Sequence, residues 1–342
     1  MKTRFVLLAV KFSLITFLLT ACGLLQQKPA LTQTPPGAQV QPVTGIQYHF
    51  VTDQLLLPTT EEKAQAYALD VDGDSEQRGD NLFGRLLTLL TSVAPGLDVQ
   101  STLSETVAAG QLVSLHVVKA DDPLNDSSVS WSILQGEEAQ AAPAFDGSDE
   151  FTVDSAAPIN APVVGALSAG HFSGGPGAAR LRLFLLGQYI ELDSIALRLE
   201  VDVSAAGCAN GRLGGGLTAA EFSDKLLPKI ADGLNQIVQA DPTAAKVLLQ
   251  ALDSNNDGTI TIQELQTNPV LKLAISPDLD LLDASGTFNP GQDGREDSYS
   301  MGLGFTCVPA SFVAPGDSPF TAANQRPRPC RRSPDWRRPT LP

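Results

Sequence analysis

From Ile195 to Val203 the chain reads IALRLEVDV, with Ile195, Leu197, Leu199, Val201 and Val203 alternating against Ala196, Arg198, Glu200 and Asp202. Successive side chains of an extended strand point to opposite faces, so a period of two commits this run to a half-buried antiparallel strand. One such strand cannot bury its apolar face alone; it needs strands beside it and a second layer across from it. Candidates are present. QLVSLHVVK places Val113, Leu115 and Val117 on one side and His116 on the other, which predicts an exposed His116. SVSWSI sets Val129, Trp131 and Ile133 against serines, and LRLFLLG and YIELDS lead into the Ile195 run through short joints. Residues 45–215 are therefore expected to form a β-rich body, read mostly as strands, with loops at stretches such as SGGPGA. An antiparallel β-sandwich or a jelly-roll-like body fits, and periodicity does not separate the two.

The period then changes. Thr218 and Glu221 stand at capping-box spacing, and Phe222, Leu226, Ile230, Leu234 and Ile237 recur at helical intervals. Pro228 should kink this stretch or split it, and Asp241-Pro242 suits an N-cap followed by a first helical residue. That helix is expected to run through Leu248 to Leu252, and Asn268-Pro269 can start another short one. In DSYSMGLGFTCV, Tyr299, Met301, Leu303, Phe305 and Cys307 alternate again. The expected class is α+β: a β body, a helical insertion over 216–276, and strands within 277–320 that return to the body.

The last helical turn runs into DSNNDGTITIQE, residues 253–264. Asp253, Asn255 and Asp257 offer oxygens at every second position, and Gly258 follows where a sharp turn is needed. Thr259 can offer its main-chain carbonyl, Thr261 its hydroxyl, and Glu264 both carboxylate oxygens. A segment that winds to aim alternate oxygens inward suits Ca2+, a hard cation that takes six to eight oxygens. The run resembles the EF-hand loop at each position, with Ile260 as its apolar anchor, and the resemblance covers roughly residues 243–268. It departs from the family in two ways: no second full loop accompanies it, and the exit helix meets Asn268-Pro269 early. Both favour a fixed structural site over a sensor that opens. Three carboxylates and one amide imply moderate affinity, on the order of 10⁻⁴ to 10⁻³ M as in exported modules.

A second acidic run, DVDGDSEQRGD, begins at Asp70. Asp72 and Asp74 continue the alternation, and Asp80 is a further candidate ligand, but Ser75 and Asn81 occupy the sixth and twelfth positions. It resembles the compact Asp-rich calcium loops of secreted proteins, and an acidic surface turn is the alternative reading. Arg78-Gly79-Asp80 spells an adhesion tripeptide, read here as a chance match. Asp278, Asp280, Asp283, Asp293 and Asp297 form a third acidic group, able to cap strands or to complete a site in space.

At the N-terminus, MKTRFVLLAVK is basic and apolar, and FSLITFLL from Phe12 to Leu19 is too short to span a bilayer but suits an export signal. Leu19-Thr20-Ala21-Cys22 follows and resembles the lipobox of bacterial lipoproteins. The resemblance implies a signal peptide over 1–21, cleavage before Cys22, and lipid on that cysteine as the membrane contact. With Gly23 after the cysteine, it implies the outer membrane of a bacterial cell envelope. Residues 22–44 read as a Gln-, Pro- and Thr-rich lipidated tether. Export places Cys208, Cys307 and Cys330 in an oxidising compartment, where Cys208–Cys307 is the pair to test first. Cys330 falls in the tail 321–342, which has six arginines, one aspartate and no periodicity, and reads as disordered.

The formal net charge is −15 although the basic residues crowd at both ends, so the middle is strongly acidic. Such a surface repels nucleic acid and attracts divalent cations. No nucleophile elbow, phosphate loop, zinc-type histidine pair or Cys-x-x-Cys appears, and the three histidines join no catalytic motif. The sequence therefore points to a calcium-binding, lipid-anchored envelope protein rather than an enzyme, and resembles secreted bacterial EF-hand domain proteins, a resemblance that implies no activity. An adhesion or ligand-binding module for a carbohydrate or protein is the alternative, and a hydrolase on the β body is a more distant one.

Overall fold

The computed structural model describes residues 45–73, 79–94, 96–156 and 161–313. The segments read as signal peptide and tether, Cys22, Asp74 and the segment read as a basic tail lie outside the described residues. The strands are β1 (Ile46–Leu56), β2 (Ser114–Ala120), β3 (Asp126–Gln135), β4 (Glu150–Thr152), β5 (Val163–Ser168), β6 (His171–Leu185), β7 (Gln188–Ser204), β8 (Gly207–Thr218), β9 (Ser298–Pro309) and β10 (Ser311–Val313). The helices are α1 (Glu61–Ala66), α2 (Leu82–Val93), α3 (Val99–Ala108), α4 (Leu227–Ala240), α5 (Pro242–Leu252) and α6 (Ile262–Thr267).

The α+β class with an antiparallel, sandwich-like body is observed. Its strands run β1-β2-β3-β5-β6-β7-β8-β9, each antiparallel to the next, and β1 pairs with β9 to close a barrel. Closure removes the open edges on which a free sheet would recruit other chains. Cys208 and Cys307 face each other across β8 and β9 and form a disulfide. The segment from β8 to β9 carries α4, α5 and α6, between consecutive barrel strands.

Three findings depart from the sequence reading. First, residues 61–108 hold α1, α2 and α3 where strands were expected. On α2, Leu82, Phe83, Leu86, Leu87 and Leu90 are buried at helical spacing, and Asn81 caps it by accepting from the Gly84 amide. Asn81 also pairs with both main-chain groups of Gly302, covering the part of β9 beyond its ladder with β1. A Cβ on Gly302 would lie 2.7 Å from the Asn81 amide nitrogen, so only glycine admits this contact. Second, Ala196 takes φ 53° at a register break in β7. The extra residue sends Ile195 to a small cluster with Val71, Leu279 and Leu281, while Leu197, Leu199 and Val201 stay in the main core.

Third, His116 is 2 % exposed rather than on the surface. Both faces of β2 are covered. Leu115 packs under Phe151 and Phe312 of the short parallel pair β4–β10, while Val118 and Trp131 join the main core. Trp131 donates Nε1–H to His116 Nδ1 at 3.0 Å, so the neutral ring carries its proton on Nε2 and donates to Thr52 Oγ1 at 2.8 Å. Burial pushes the His116 pKa down to about 4. A folded-state pKa below the unfolded value of about 6.5 means that the unfolded chain binds the proton first as pH falls. Stability should therefore be complete above pH ~6.5 and decline by about 3 kcal/mol as pH drops toward 4. Urea midpoints from pH 7.5 to 4.5 measure this, and His116→Gln should flatten the slope across that window.

Candidate metal centre

Asp241 caps α5 by accepting from the Thr243 and Ala244 amides, and Pro242 occupies the first turn, as the Asp-Pro pair indicated. Leu248 and Leu252 bury one face of α5 and fix where it ends, at Asp253. Upstream, the stretch headed by Thr218 splits into a π-helical turn, Glu221–Leu226, and α4, with Pro228 in the first turn of α4. Glu221 does not complete a capping box; its carboxylate accepts from the Asp193 amide instead.

The loop then folds its oxygens over its own amides. Asp253 Oδ2 accepts from Gly258 N at 2.8 Å, and its Oδ1 from Asp257 N at 3.2 Å. Asn255 Oδ1 accepts from Asp257 N at 2.8 Å, and Asp257 Oδ1 from Thr259 N at 2.9 Å. Gly258 has φ 84°, and a Cβ there would touch nothing within 4 Å. The demand for glycine is thus torsional, not steric: the left-handed turn disfavours any L side chain.

Thr261 begins α6 with a complete capping box, its hydroxyl accepting from Glu264 N. Glu264 Oε2 accepts from Thr261 N at 3.0 Å and from the Thr261 hydroxyl. Its Oε1 accepts from Ser254 N at 2.8 Å and Asn255 N at 3.2 Å, so one carboxylate ties the loop's exit to its entrance. The Thr261 amide, with the Thr261 hydroxyl and the Asn255 amide, holds its pKa down at about 2. Asp253 is 7 % exposed and Glu264 6 %, and among the described residues no Lys, Arg or His forms an ion pair with Asp253, Asp257 or Glu264. A nearly buried carboxylate needs hydrogen-bond donors or a positive charge to offset lost hydration, and here the donors are the loop's own amides and hydroxyls. The donor set contains only hard oxygens, the kind that Ca2+ prefers.

The carboxylates of Asp253, Asp257 and Glu264 do not share one compact shell in this conformation. Among the described residues, the one set of three whose ligand atoms all lie within 4.8 Å of each other is Asp70, Asp72 and Asp80. Asp70 Oδ1 accepts from Gly73 N at 2.7 Å, and Asp80 Oδ2 from Val71 N at 2.9 Å. Asp80 is 8 % exposed, so it is not displayed as an adhesion determinant. Val71 packs with Leu279, Leu281 and Phe288, which sets this cluster beside the third acidic group. There Asp283 and Asp297 cap turns, and Asp278 bonds the amide and hydroxyl of Ser300. Asp280 accepts from Gly294 N through Oδ2, while its buried Oδ1 has no hydrogen-bond partner among the described residues.

The other two histidines have different partners. His171 pairs with Asp202 at 2.7 Å, with both side chains about half exposed, and His49 stacks on Phe312. His116 donates to the Thr52 hydroxyl, so it is not placed to deprotonate it. Two cavities stand out. One of about 20 Å³ lies beside Thr52 and His116. The other, about 540 Å³, is an apolar groove where Leu97, Leu186, Ile237 and Val247 meet, with the capping carboxylates of Asp98 and Asp241 at its margin.

Comparison with protein-family models, with curated proteins and with solved structures found no match. No helix among the described residues is long and apolar enough to cross a membrane. Sequence reasoning missed Ser254, whose amide and hydroxyl both donate to Glu264 Oε1, and Asn235 on α4, whose side-chain amide bonds both main-chain groups of Ile260.

Proposed function

We propose that this chain is a calcium-binding protein of the bacterial envelope, held to a membrane by lipid on Cys22, with 253–264 as a structural ion site in the helical insertion. The observation that carries the reading is Asp253 and Glu264: carboxylates nearly out of solvent, without a cationic partner, on a turn that Gly258 closes. When bound, the ion supplies the positive charge that those groups lack and joins the end of α5 to the start of α6. Asp253, Asn255, Asp257, the Thr259 carbonyl, Thr261 and Glu264 are the ligands. Asp70, Asp72 and Asp80 are proposed as a second site, because their carboxylates already converge. The lipid anchor rests on Leu19-Thr20-Ala21-Cys22 and the apolar run before it, and the Cys208–Cys307 disulfide agrees with export to an oxidising compartment.

Calorimetric titration of the full chain with Ca2+ tests this. Saturable binding at a Kd of about 10⁻⁴ to 10⁻³ M is expected, with a raised melting temperature at millimolar ion. A stoichiometry of two supports the second site, and Asp80→Asn should reduce it to one. Flat heats at millimolar Ca2+ would sink the proposal. A ligand-binding module stabilised by the ion is the second reading. The groove at Leu97, Ile237 and Val247 favours it, its volume being that of a small-molecule site.

A further inference from the structure

We propose that Asn235 is a positioning residue for the calcium loop. The inference rests on the calcium reading above. Asn235 lies on α4, 25 residues before Ile260. Its Nδ2 donates to Ile260 O at 2.8 Å, and its Oδ1 accepts from Ile260 N at 2.8 Å. One side-chain amide thus satisfies both main-chain groups of the residue at the loop's centre, in the manner of a neighbouring strand. Ile260 itself is 1 % exposed and belongs to the main core.

The consequence follows from peptide planarity. In a trans peptide the carbonyl of one residue and the N–H of the next point in opposite directions. The Ile260 N–H shares its plane with the Thr259 carbonyl. Holding that N–H toward Asn235 turns the Thr259 oxygen away from α4, which frees it for the ligand role of the seventh loop position. The Ile260 carbonyl shares its plane with the Thr261 N–H. Holding that carbonyl toward Asn235 turns the Thr261 N–H the other way, and there it meets Glu264 Oε2 at 3.0 Å. A single amide therefore orients two consecutive peptide planes, one bearing a ligand oxygen and the other steadying the closing carboxylate. Its platform is firm: Leu234 is fully buried, and Gly233 packs against the main chain of Leu186 in the β6–β7 turn.

The experiment compares full-length wild type, Asn235→Ala, Asn235→Gln and Glu264→Gln. Ca2+ alone is the probe, and amide exchange of Ile260 is followed in calcium-free protein. Asn235→Ala should weaken Ca2+ binding about tenfold, as expected for the loss of two hydrogen bonds. It should also speed Ile260 exchange, with the barrel amides unchanged. Asn235→Gln displaces the same groups by one methylene and should lose affinity as well; it serves if the alanine variant does not fold. Unchanged affinity at the 253–264 loop in a folded Asn235 variant, with that loop's share of the heat lost in Glu264→Gln, would overturn the positioning role and leave the calcium reading intact. Absence of binding in wild type would overturn both.

Discussion

Removing the Cys208–Cys307 bridge is expected to lower stability by about 4 kcal/mol, the largest single loss foreseen for this fold. The two cysteines are 99 residues apart and enclose the whole helical insertion. In the chain-entropy view, a cross-link restricts the unfolded chain more as the enclosed loop grows, and about 100 residues is near the upper end. The native state loses little, because β8 and β9 remain paired from Gly211–Phe305 to Thr218–Ser298. The loss should therefore appear as a lower urea midpoint with an unchanged native spectrum. Comparing oxidised protein, reduced protein and the Cys208→Ala/Cys307→Ala double variant measures it. Equal midpoints for all three would show that the barrel does not depend on the bridge.

The parts of the fold that were legible in sequence are those where one local rule acts without competition. Val129, Trp131 and Ile133 alternate and lie in the core, and Asp241-Pro242 opens a helix because capping needs only neighbouring residues. The misreadings occur where an outer layer or an inserted residue changes the meaning of a period. His116 looked exposed because alternation assigns a residue to a face but does not say whether that face is wet. Phe151 and Phe312, distant in sequence, cover the outer face of β2, and Trp131 with Thr52 satisfies both ring nitrogens inside. Ile195 was assigned to the wrong face because nothing in IALRLEVDV announces that Ala196 will take a left-handed conformation. In α2, leucines crowd enough positions that helix and strand periods both find matches, and burial on the fold decided between them.

The site divides along the same line. Gly258 and the alternating oxygens of 253–257 were readable because the turn is built from contiguous residues. Asn235 was not, since its role depends on where α4 packs. The convergence of Asp70, Asp72 and Asp80 also needed the fold, because the bridge between Leu69 and Asp80 brings the ends of that run together.

Glu264→Gln should weaken Ca2+ binding at the 253–264 loop by about 100- to 1,000-fold, beyond detection at millimolar ion. The substitution keeps the size of the side chain and changes only its charge and one terminal atom. Glu264 uses both oxygens as acceptors, one for the Ser254 and Asn255 amides and the other for the Thr261 amide and hydroxyl. Glutamine offers one oxygen and one NH2, so on either side a donor must face a donor. The variant thus loses the closing ligand charge and also leaves at least one loop amide without an acceptor, at a cost of about 1–3 kcal/mol to the calcium-free protein. Two readouts separate these effects: calorimetric affinity reports the ligand, and the urea midpoint in chelator reports the loop. The decisive comparison is with Asp80→Asn. If Glu264→Gln keeps the wild-type heat and Asp80→Asn loses it, the ion belongs to the cluster between α1 and α2. The loop after α5 would then be a polar turn, closed by its own amides and needing no metal.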